Sequence, residues 1–498
     1  MDSDRETANH GEKRRAARGV VLLLLRTGAV QVITLGGTIV LLRVLTPEDL
    51  GTFAVLSFAL AFFQFFGDAG LAGALVQSRE DPSERALRTV FTVHGVLAVA
   101  VVALVWVLSP TIGLVWPKLP PGSALLLRAM SLSFLLTMVR VVPSIQLERQ
   151  LRFGAIAVAE VIQVGVFYVV ACLCALSGLG DWTWPAAVLA QAVAGSLVVL
   201  VASPWWPRFG LERELFRSMI RFGLPFQAKN FIGFANGAVT PLFAGAVLGP
   251  AAVGLIGWGQ QVAYMPLKLV EAIARVSFPL YARMQLDRDA LARVVERSLQ
   301  FAAFGVFFST AILLTGGAQI TTIVFSDKWL PGLPALHAFS TVLVVGFVSP
   351  VIGAAFDALG RPGVVARLSA AWTLLNWLVV PIATWKWGMS GFILGYCVHI
   401  VVGNVAVLWV VRREIPELRI VAPLRAPALA ALGTAAVGWL VLRPWATTPV
   451  RLVAALALAV VVHVGIFAAA DRHAIAIARH LLTREPGADP GTAAGGLE

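Results

Sequence analysis

Long apolar runs alternate with short polar segments from about residue 20 to residue 470 of the chain. Each run contains roughly 20 residues, the length of an α-helix that crosses a bilayer. The pattern predicts an all-α integral membrane protein with about 14 transmembrane helices. The predicted spans lie near 20–42, 52–76, 89–115, 123–144, 154–178, 184–206, 222–246, 252–276, 299–324, 333–357, 364–385, 389–411, 427–443 and 450–470.

Composition supports the membrane assignment, because 58% of the residues are hydrophobic and only 13% are charged. A soluble protein carries about a quarter charged residues. Cys172, Cys174 and Cys397 all lie in apolar runs, so neither a disulfide framework nor a metal site is expected. The chain also lacks a GxxxxGK[ST] motif and other catalytic motifs, so we expect no enzyme activity and no cofactor.

The net charge of +12 raises the question of a nucleic-acid partner. However, no Lys/Arg block carries interleaved aromatic residues. Most of the 39 Lys and Arg residues fall in alternate connectors, which lie on one side of the membrane if the N-terminus is inside. Cytoplasmic connectors of membrane proteins have this bias. The charge distribution therefore predicts that both termini are cytoplasmic and that nucleic acid is not a partner.

Two parts of the chain match at an offset of 203 residues, the distance between Pro47–Gly51 and Pro250–Gly254, which are both Pro-x-x-aliphatic-Gly turns. The offset corresponds to six spans. Because an even number of spans returns the chain to the same side of the membrane, both copies have the same orientation in the bilayer. Their pseudo-twofold axis would then lie along the membrane normal. The repeat predicts two six-helix lobes, 20–206 and 222–411, followed by two extra helices within 412–470.

Three further segments lie outside the spans. Residues 1–19 form a basic cytoplasmic N-terminus, 207–221 an amphipathic connector, and 471–498 an amphipathic helix with a disordered tail. The amphipathic pattern of Tyr281 to Arg297 predicts one more cytoplasmic helix that lies on the membrane surface.

The repeat includes charges within apolar runs. Arg26 matches Lys229, about two turns inside the cytoplasmic end of each helix. Each cation either extends to the interface or lines a chamber that is open to the cytoplasm. In a chamber, the pair would bind a phosphate or pyrophosphate through charge-assisted hydrogen bonds. The matching positions favour this second interpretation.

The acids of the repeat are Asp68 and Glu271, which also match at this offset. Glu271 follows Lys268 by three residues, so the two can neutralise each other on one helix face. Asp68 could pair with Arg26 or carry an ion during transport. Glu160 lies about two turns inside the fifth span, where a structural partner in another helix is favoured over a role in ligand binding.

Several motifs resemble those of polysaccharide-export flippases. The segment Arg43–Gly51 resembles their first-loop motif, and Gln146–Phe153 resembles their loop between spans 4 and 5. Phe278–Pro279 and Gly360–Pro362 fit later positions. In order and spacing, the chain is similar to the lipid-linked oligosaccharide (Wzx-like) flippase branch of the multidrug/oligosaccharidyl-lipid/polysaccharide (MOP) superfamily.

The resemblance implies two lobes that open alternately to each side of a bacterial cytoplasmic membrane. It implies transfer of polyprenyl-pyrophosphate-linked oligosaccharide or repeat units to the outer leaflet, with Arg26 and Lys229 near the pyrophosphate. Membrane lipids, and a polymerase or glycosyltransferases of the same pathway, would be partners. Ala238–Pro241 lacks the acid that many relatives have there. The alternative is an ion-coupled multidrug or small-cation antiporter of the same architecture.

Overall fold

The computed structural model describes residues 26–67, 75, 82–217, 231 and 233–471. Helices and short connectors make up these residues, with no strand among them, so the predicted all-α fold is confirmed. The helices are α1 Arg26–Val44, α2 Pro47–Gly67, α3 Glu84–Leu108, α4 Ser123–Met138, α5 Val141–Arg149, α6 Phe153–Leu176, α7 Thr183–Ala202, α8 Gly233–Val247, α9 Pro250–Ala263, α10 Leu267–Arg283, α11 Arg288–Ile320, α12 Leu333–Gly346, α13 Val348–Ala358, α14 Pro362–Glu414, α15 Arg425–Val437 and α16 Pro449–Ala470.

Polar residues in the connectors determine where several helices begin. At the start of α3, the Ser83 hydroxyl accepts a hydrogen bond from the Ala86 N–H at 3.2 Å. At the start of α11, the Asp287 carboxylate accepts from the Ala290 N–H at 2.9 Å. Such caps satisfy N–H groups that have no partner within the first turn.

In the described part of the chain, nine helices are long and apolar enough to cross a membrane, and the bent pair α4–α5 makes up to ten. One of the nine is α14, which breaks at Trp387 and Gly388 and therefore covers two predicted spans. Three other predicted spans fall on α2, on α8, and on α9 with α10. The helices are thus compatible with 14 spans, although α2 and α8 border residues outside the described ranges.

The prediction of a separate surface helix over Tyr281 to Arg297 is wrong. Its first residues belong to α10, which ends at Arg283, and its last residues belong to α11, which begins at Arg288. The Asp287 cap starts α11 before the apolar run, and Tyr281 is fully buried. The amphipathic pattern therefore reflects two helix ends that pack against the protein on one side.

The chain divides into two compact units. Their boundaries do not coincide with the predicted lobes, 20–206 and 222–411, which stay a prediction from the repeat. Most of the predicted segments 1–19, 207–221 and 471–498 lies outside the described residues. Unit 1 contains the chain up to Trp258 with Val324–Gly332 and Ser369–His399, and unit 2 contains Gly259–Ile323, Leu333–Leu368 and the residues from Ile400 onward.

In unit 1, an aromatic contact fixes the beginning of α2 against α7. The rings of Phe53 and Trp184 are stacked, with centroids 4.0 Å apart. Trp184 is buried, and its indole N–H donates to the Asp49 carbonyl at 3.1 Å. A buried indole N–H usually has such a partner. The contact joins the first loop of the repeat to the sixth predicted span.

In unit 2, α11 contacts both of the extra C-terminal helices. Phe304 of α11 packs against a small cluster formed by Ala426, Ala430 and Phe467. His463 of α16 is buried and lies within hydrogen-bond distance of the Phe304 carbonyl, at 3.1 Å. These contacts fix α15 and α16 to the described helices that precede them.

Candidate functional site

Arg26 and Glu160 form an ion pair between α1 and α6 in unit 1. Their side chains are 31% and 38% exposed, so both remain accessible from one side. A single charge within a membrane-spanning helix is costly, and an opposite charge on a neighbouring helix offsets that cost. Glu160 thus has a partner in another helix. That partner is Arg26, for which the sequence predicts a phosphate or pyrophosphate ligand.

Helix α1 also has a polar face. Thr27, Gln31, Thr34 and Thr38 are separated by four, three and four residues, which places them on one helix face. The Thr38 hydroxyl is 3.2 Å from the Tyr168 hydroxyl of α6. Our sequence interpretation did not include this face, although the helical spacing of its polar residues was a usable signal.

A close approach between α1 and α6 accompanies this polar face. A Cβ atom at Gly37 would collide with the ring of Tyr168, so only glycine permits the observed packing. The Cys172 thiol also lies 3.8 Å from the Gly37 carbonyl, in the range of a weak S–H hydrogen bond. The polar residues of α1 are therefore attached to a tightly packed helix pair.

Two of the predicted site residues, Lys229 and Asp68, lie outside the described residues. The predicted pair of cations and the pairing of Asp68 with Arg26 consequently remain predictions from the sequence. Of the predicted site residues within the described ranges, Arg26 and Glu160 are brought together. Lys268 and Glu271 both belong to α10.

One face of α10 in unit 2 is charged. Lys268, Glu271 and Arg275 are exposed and separated by three and four residues. The opposite face is buried and consists of Val270, Ala274, Ser277 and Tyr281. The sequence interpretation named Lys268 and Glu271 but not Arg275, which also lies within the predicted span 252–276 and within α10. Arg275 therefore extends the charged face formed by Lys268 and Glu271.

The two matching turns of the repeat contact each other in unit 1. A Cβ atom at Gly51 would collide with the Pro250 carbonyl, and a Cβ atom at Gly254 would collide with the Pro47 carbonyl. Residues related by the offset of 203 thus exchange equivalent contacts, as they do across a twofold axis. The glycines allow the backbones of α2 and α9 to touch.

Side chains from the connector after α3 strengthen the contact between the repeats. The Trp116 indole N–H donates to the Pro241 carbonyl at 2.9 Å. The Lys118 ammonium donates to the Val247 carbonyl at 2.7 Å. Both carbonyls belong to α8, whose segment Val239–Ala244 is π-helical. A first-repeat connector thus binds the end of the first helix of the second repeat.

The second repeat makes the corresponding contact with the first. The Trp329 indole N–H donates to the Leu42 carbonyl at 2.7 Å, and the Lys328 ammonium donates to the Arg43 carbonyl at 2.8 Å. Here a connector of the second repeat binds the end of α1. We call these two sets of bonds the Trp–Lys clasps. Both lie at helix ends that the predicted topology places outside.

Among the described residues, no group of three or more His, Cys, Asp or Glu side chains could hold a metal ion.

Comparison with known proteins identifies the family. Residues 40–334 match the family model described as polysaccharide biosynthesis protein. The chain belongs to this family. It is 27% identical over 315 residues to the succinoglycan biosynthesis transport protein ExoT of Rhizobium meliloti, covering 62% of each chain. It is 26% identical over 410 residues to the lipopolysaccharide biosynthesis protein WzxC of Escherichia coli, covering 79% of this chain and 78% of the relative.

Solved structures share the fold. The lipid II flippase MurJ in an inward closed conformation has a TM-score of 0.72 at 13% identity, with 91% of this chain and 100% of that chain covered. An inward-facing MATE-family multidrug resistance transporter of the MOP superfamily has a TM-score of 0.58 at 17% identity, with 80% and 98% covered. The predicted MOP-type fold is confirmed.

The family match includes only part of the candidate site. Glu160, Lys268 and Glu271 lie within residues 40–334, whereas Arg26 and the whole polar face of α1 precede that range. The chain spans 62% of the length of the succinoglycan relative, and also 62% of the teichuronic acid biosynthesis protein TuaB of Bacillus subtilis.

Proposed function

We propose that the protein transfers a polyprenyl-pyrophosphate-linked oligosaccharide or repeat unit from the inner to the outer leaflet of the cytoplasmic membrane. The site for the pyrophosphate would include Arg26 and Lys229. The reaction is translocation without covalent chemistry. The relatives named above support this class of substrate, because they belong to succinoglycan and lipopolysaccharide biosynthesis and the MOP-type fold includes a lipid II flippase.

The observation that carries the proposal is the accessible ion pair of Arg26 with Glu160. A partly exposed guanidinium within an apolar helix provides planar donors that match phosphate oxygens. Its present partner is a single carboxylate, which a pyrophosphate of higher charge can replace. The polar face of α1 begins at Thr27, the residue after Arg26, and its hydroxyl and amide groups suit a saccharide.

Alternating access is part of the same proposal. The matching turns at Gly51 and Gly254 and the two Trp–Lys clasps connect the repeats at ends predicted to face outward. Such contacts suit a closed outer side that opens during the cycle. They consist of a few hydrogen bonds and two glycine contacts, each of modest net free energy.

The competing function is an ion-coupled antiporter for drugs or small cations. The fold alone is equally consistent with it, since a MATE-family transporter shares that fold. The stretch Ala238–Pro241 of α8 offers no acid for a cation, and the charged face of α10 contains two cations and one acid. The balance of charge favours an anionic headgroup over a cationic drug.

The test is a reconstitution of the purified full-length protein in liposomes that contain a polyprenyl-pyrophosphate-linked oligosaccharide. Translocation is measured as the saccharide fraction that a lectin outside the vesicles can bind. We expect the variants Arg26→Gln and Lys229→Gln to translocate at least about tenfold more slowly, since each loses a charged hydrogen bond to phosphate. Arg451→Gln removes an exposed arginine of α16 and serves as the control.

Two results would contradict the proposal. One is normal translocation by the double variant Arg26→Gln, Lys229→Gln. The other is a wild-type protein that leaves the lipid-linked saccharide in place but moves a fluorescent organic cation when an ion gradient is applied, which would establish the antiporter.

A further inference from the structure

A cavity of about 450 Å³ lies within unit 1, beside the π-helical segment Val239–Ala244 of α8. It is formed by α2, the residues that follow α3, α4, α8 and the first part of α14. The volume falls within the range of small-molecule sites in proteins, about 300–1,000 Å³. A π-helical turn often marks a functional position in a helix.

The walls of this cavity are aromatic. Phe58 of α2 stacks on Phe234 of α8, with centroids 5.3 Å apart and planes 10° apart. The ring centroid of Phe62 lies 6.3 Å from that of Phe234. The ring centroid of Trp116 lies 6.5 Å from that of Phe58. Among the described residues, no charged side chain lines the cavity.

Each polar side chain among the described wall residues is hydrogen-bonded to the protein. The Trp377 indole N–H donates to the Ala235 carbonyl at 2.9 Å, and the Trp116 indole N–H is held by its clasp. The Thr111 hydroxyl donates to the Leu108 carbonyl at 2.7 Å. A polar ligand would therefore lose its own hydrogen bonds to water without gaining new ones. The cavity suits a hydrocarbon chain.

One cation stands at the edge of the cavity. The Arg128 guanidinium donates through Nε to the Ser109 hydroxyl at 2.6 Å, and Ser109 is a wall residue. Its Nη2 donates to the Trp106 carbonyl at 3.1 Å, and its carbon lies 5.9 Å from the centroid of the Trp106 ring. Both hydrogen-bond acceptors are neutral. Within the described ranges, no carboxylate forms an ion pair with Arg128.

We propose that this cavity binds a hydrocarbon chain of a membrane lipid whose phosphate group is bound by Arg128. A guanidinium with neutral partners next to an apolar cavity matches a ligand that has a phosphate at one end and a hydrocarbon at the other. Membrane phospholipids and prenyl phosphates share this chemistry. Neither Arg26 nor Glu160 is among the wall residues of the cavity.

The experiment measures lipid binding by native mass spectrometry of the full-length protein. Purified protein is titrated with phosphatidylglycerol in one series and with a polyprenyl monophosphate in another. We expect Arg128→Gln to weaken binding of the preferred lipid about tenfold, because a charged hydrogen bond to phosphate is lost. Ala235→Phe should abolish the same binding, because the new ring fills the cavity.

Arg451→Gln is the matched control. Arg451 also lies near a tryptophan, with its guanidinium carbon 5.7 Å from the ring centroid of Trp445, but it is not part of the cavity wall. The affinity of the Arg451→Gln variant for both lipids should equal that of the unsubstituted protein. If Arg128→Gln weakens the binding of phosphatidylglycerol, the ligand is a phospholipid of the bilayer. If Arg128→Gln weakens only the binding of the prenyl phosphate, the ligand is a carrier lipid.

A photoreactive lipid with a diazirine at the chain end provides an independent readout. Cross-links should fall on cavity residues such as Phe62 and Leu242. The proposal is overturned if Arg128→Gln and Arg451→Gln weaken binding equally, or if Ala235→Phe remains folded and binds both lipids normally with cross-links elsewhere.

Discussion

Glu160 neutralises Arg26, so an anion that binds this arginine competes with a carboxylate. The two residues come from α1 and α6, and both side chains remain about one-third exposed. The pair offsets the cost that a single charge would have in either membrane-spanning helix. It can also determine when the cation is available, since the pair can exchange one anion for another.

The first prediction concerns Glu160→Gln. Removing the competing carboxylate should strengthen the binding of pyrophosphate to Arg26, by roughly tenfold if about 1.4 kcal/mol of competition is removed. Calorimetric titration of the purified protein with inorganic pyrophosphate measures this change. Equal affinity in the variant and the unsubstituted protein would mean that Arg26 does not contact the anion.

The second prediction separates the structural role of the pair from its role in binding. In the double variant Arg26→Glu, Glu160→Arg the ion pair can form with reversed partners, so the thermal midpoint should lie within a few degrees of the original. Translocation should remain lost, because position 26 now carries an acid. Each single variant should be less stable than the double variant. Restored translocation in the double variant would indicate a purely structural pair.

The third prediction tests the contact between the matching turns. Gly254→Ala should destabilise the protein by about 1–3 kcal/mol, because the new Cβ collides with the Pro47 carbonyl. Gly257→Ala lies in the same helix, where a Cβ meets nothing within 4 Å. That control should be neutral or stabilising by up to about 1 kcal/mol, since alanine favours helix. Thermal unfolding in one detergent compares the two, and equal midpoints would contradict the contact.

The matching turns also illustrate what the sequence could reveal. The offset of 203 residues identified Pro47–Gly51 and Pro250–Gly254 as equivalent, and the apolar runs identified the membrane helices. Both signals are local and periodic. The sequence did not indicate that the two turns touch each other, because contact between distant segments leaves no periodic signal. The Trp–Lys clasps were missed for the same reason.

The candidate site shows a similar limit. Helical spacing could have identified the polar face of α1, and it could also have added Arg275, which lies four residues after Glu271 within the predicted span 252–276. The partner of Glu160 could not be chosen among several cations, because the choice depends on which helices pack together. The end of α10 was misjudged since amphipathic helix ends that pack on the protein look like helices that lie on the membrane.

The fourth prediction concerns the Trp–Lys clasps. Trp116→Phe and Trp329→Phe keep an aromatic ring but remove the N–H donor, at a cost of about 1 kcal/mol each. Under the proposed alternating access, the double variant should spend more time open at the predicted outer side. A cysteine placed at Val253, which is 2% exposed, should then react with a maleimide several times faster.

That experiment uses a background in which Cys172, Cys174 and Cys397 are replaced by alanine. Trp445→Phe is the control, because this tryptophan is partly exposed and belongs to neither clasp. If the labelling rate of the double variant equals that of the control, the clasps do not hold the repeats together.

The fifth prediction concerns the attachment of the extra helices α15 and α16. The buried His463 lies 2.7 Å from the Thr434 hydroxyl through Nδ1 and 3.1 Å from the Phe304 carbonyl through Nε2. A carbonyl can only accept, so Nε2 carries a proton, and Nδ1 faces the oxygen of the Thr434 hydroxyl, which itself donates to the Ala430 carbonyl at 2.9 Å. The two side chains therefore depend on each other.

A double-mutant cycle with His463→Leu and Thr434→Val measures this dependence. We expect each single variant to lose about 1–3 kcal/mol of unfolding free energy. The double variant should lose less than the sum of the two by at least about 0.5 kcal/mol, because the first substitution has already broken the hydrogen bond that the two side chains share. Thermal unfolding provides the four stabilities. Strict additivity would show that the hydrogen bond contributes nothing to the attachment of α15 and α16, which would then depend on other contacts such as the packing of Phe304 against Phe467.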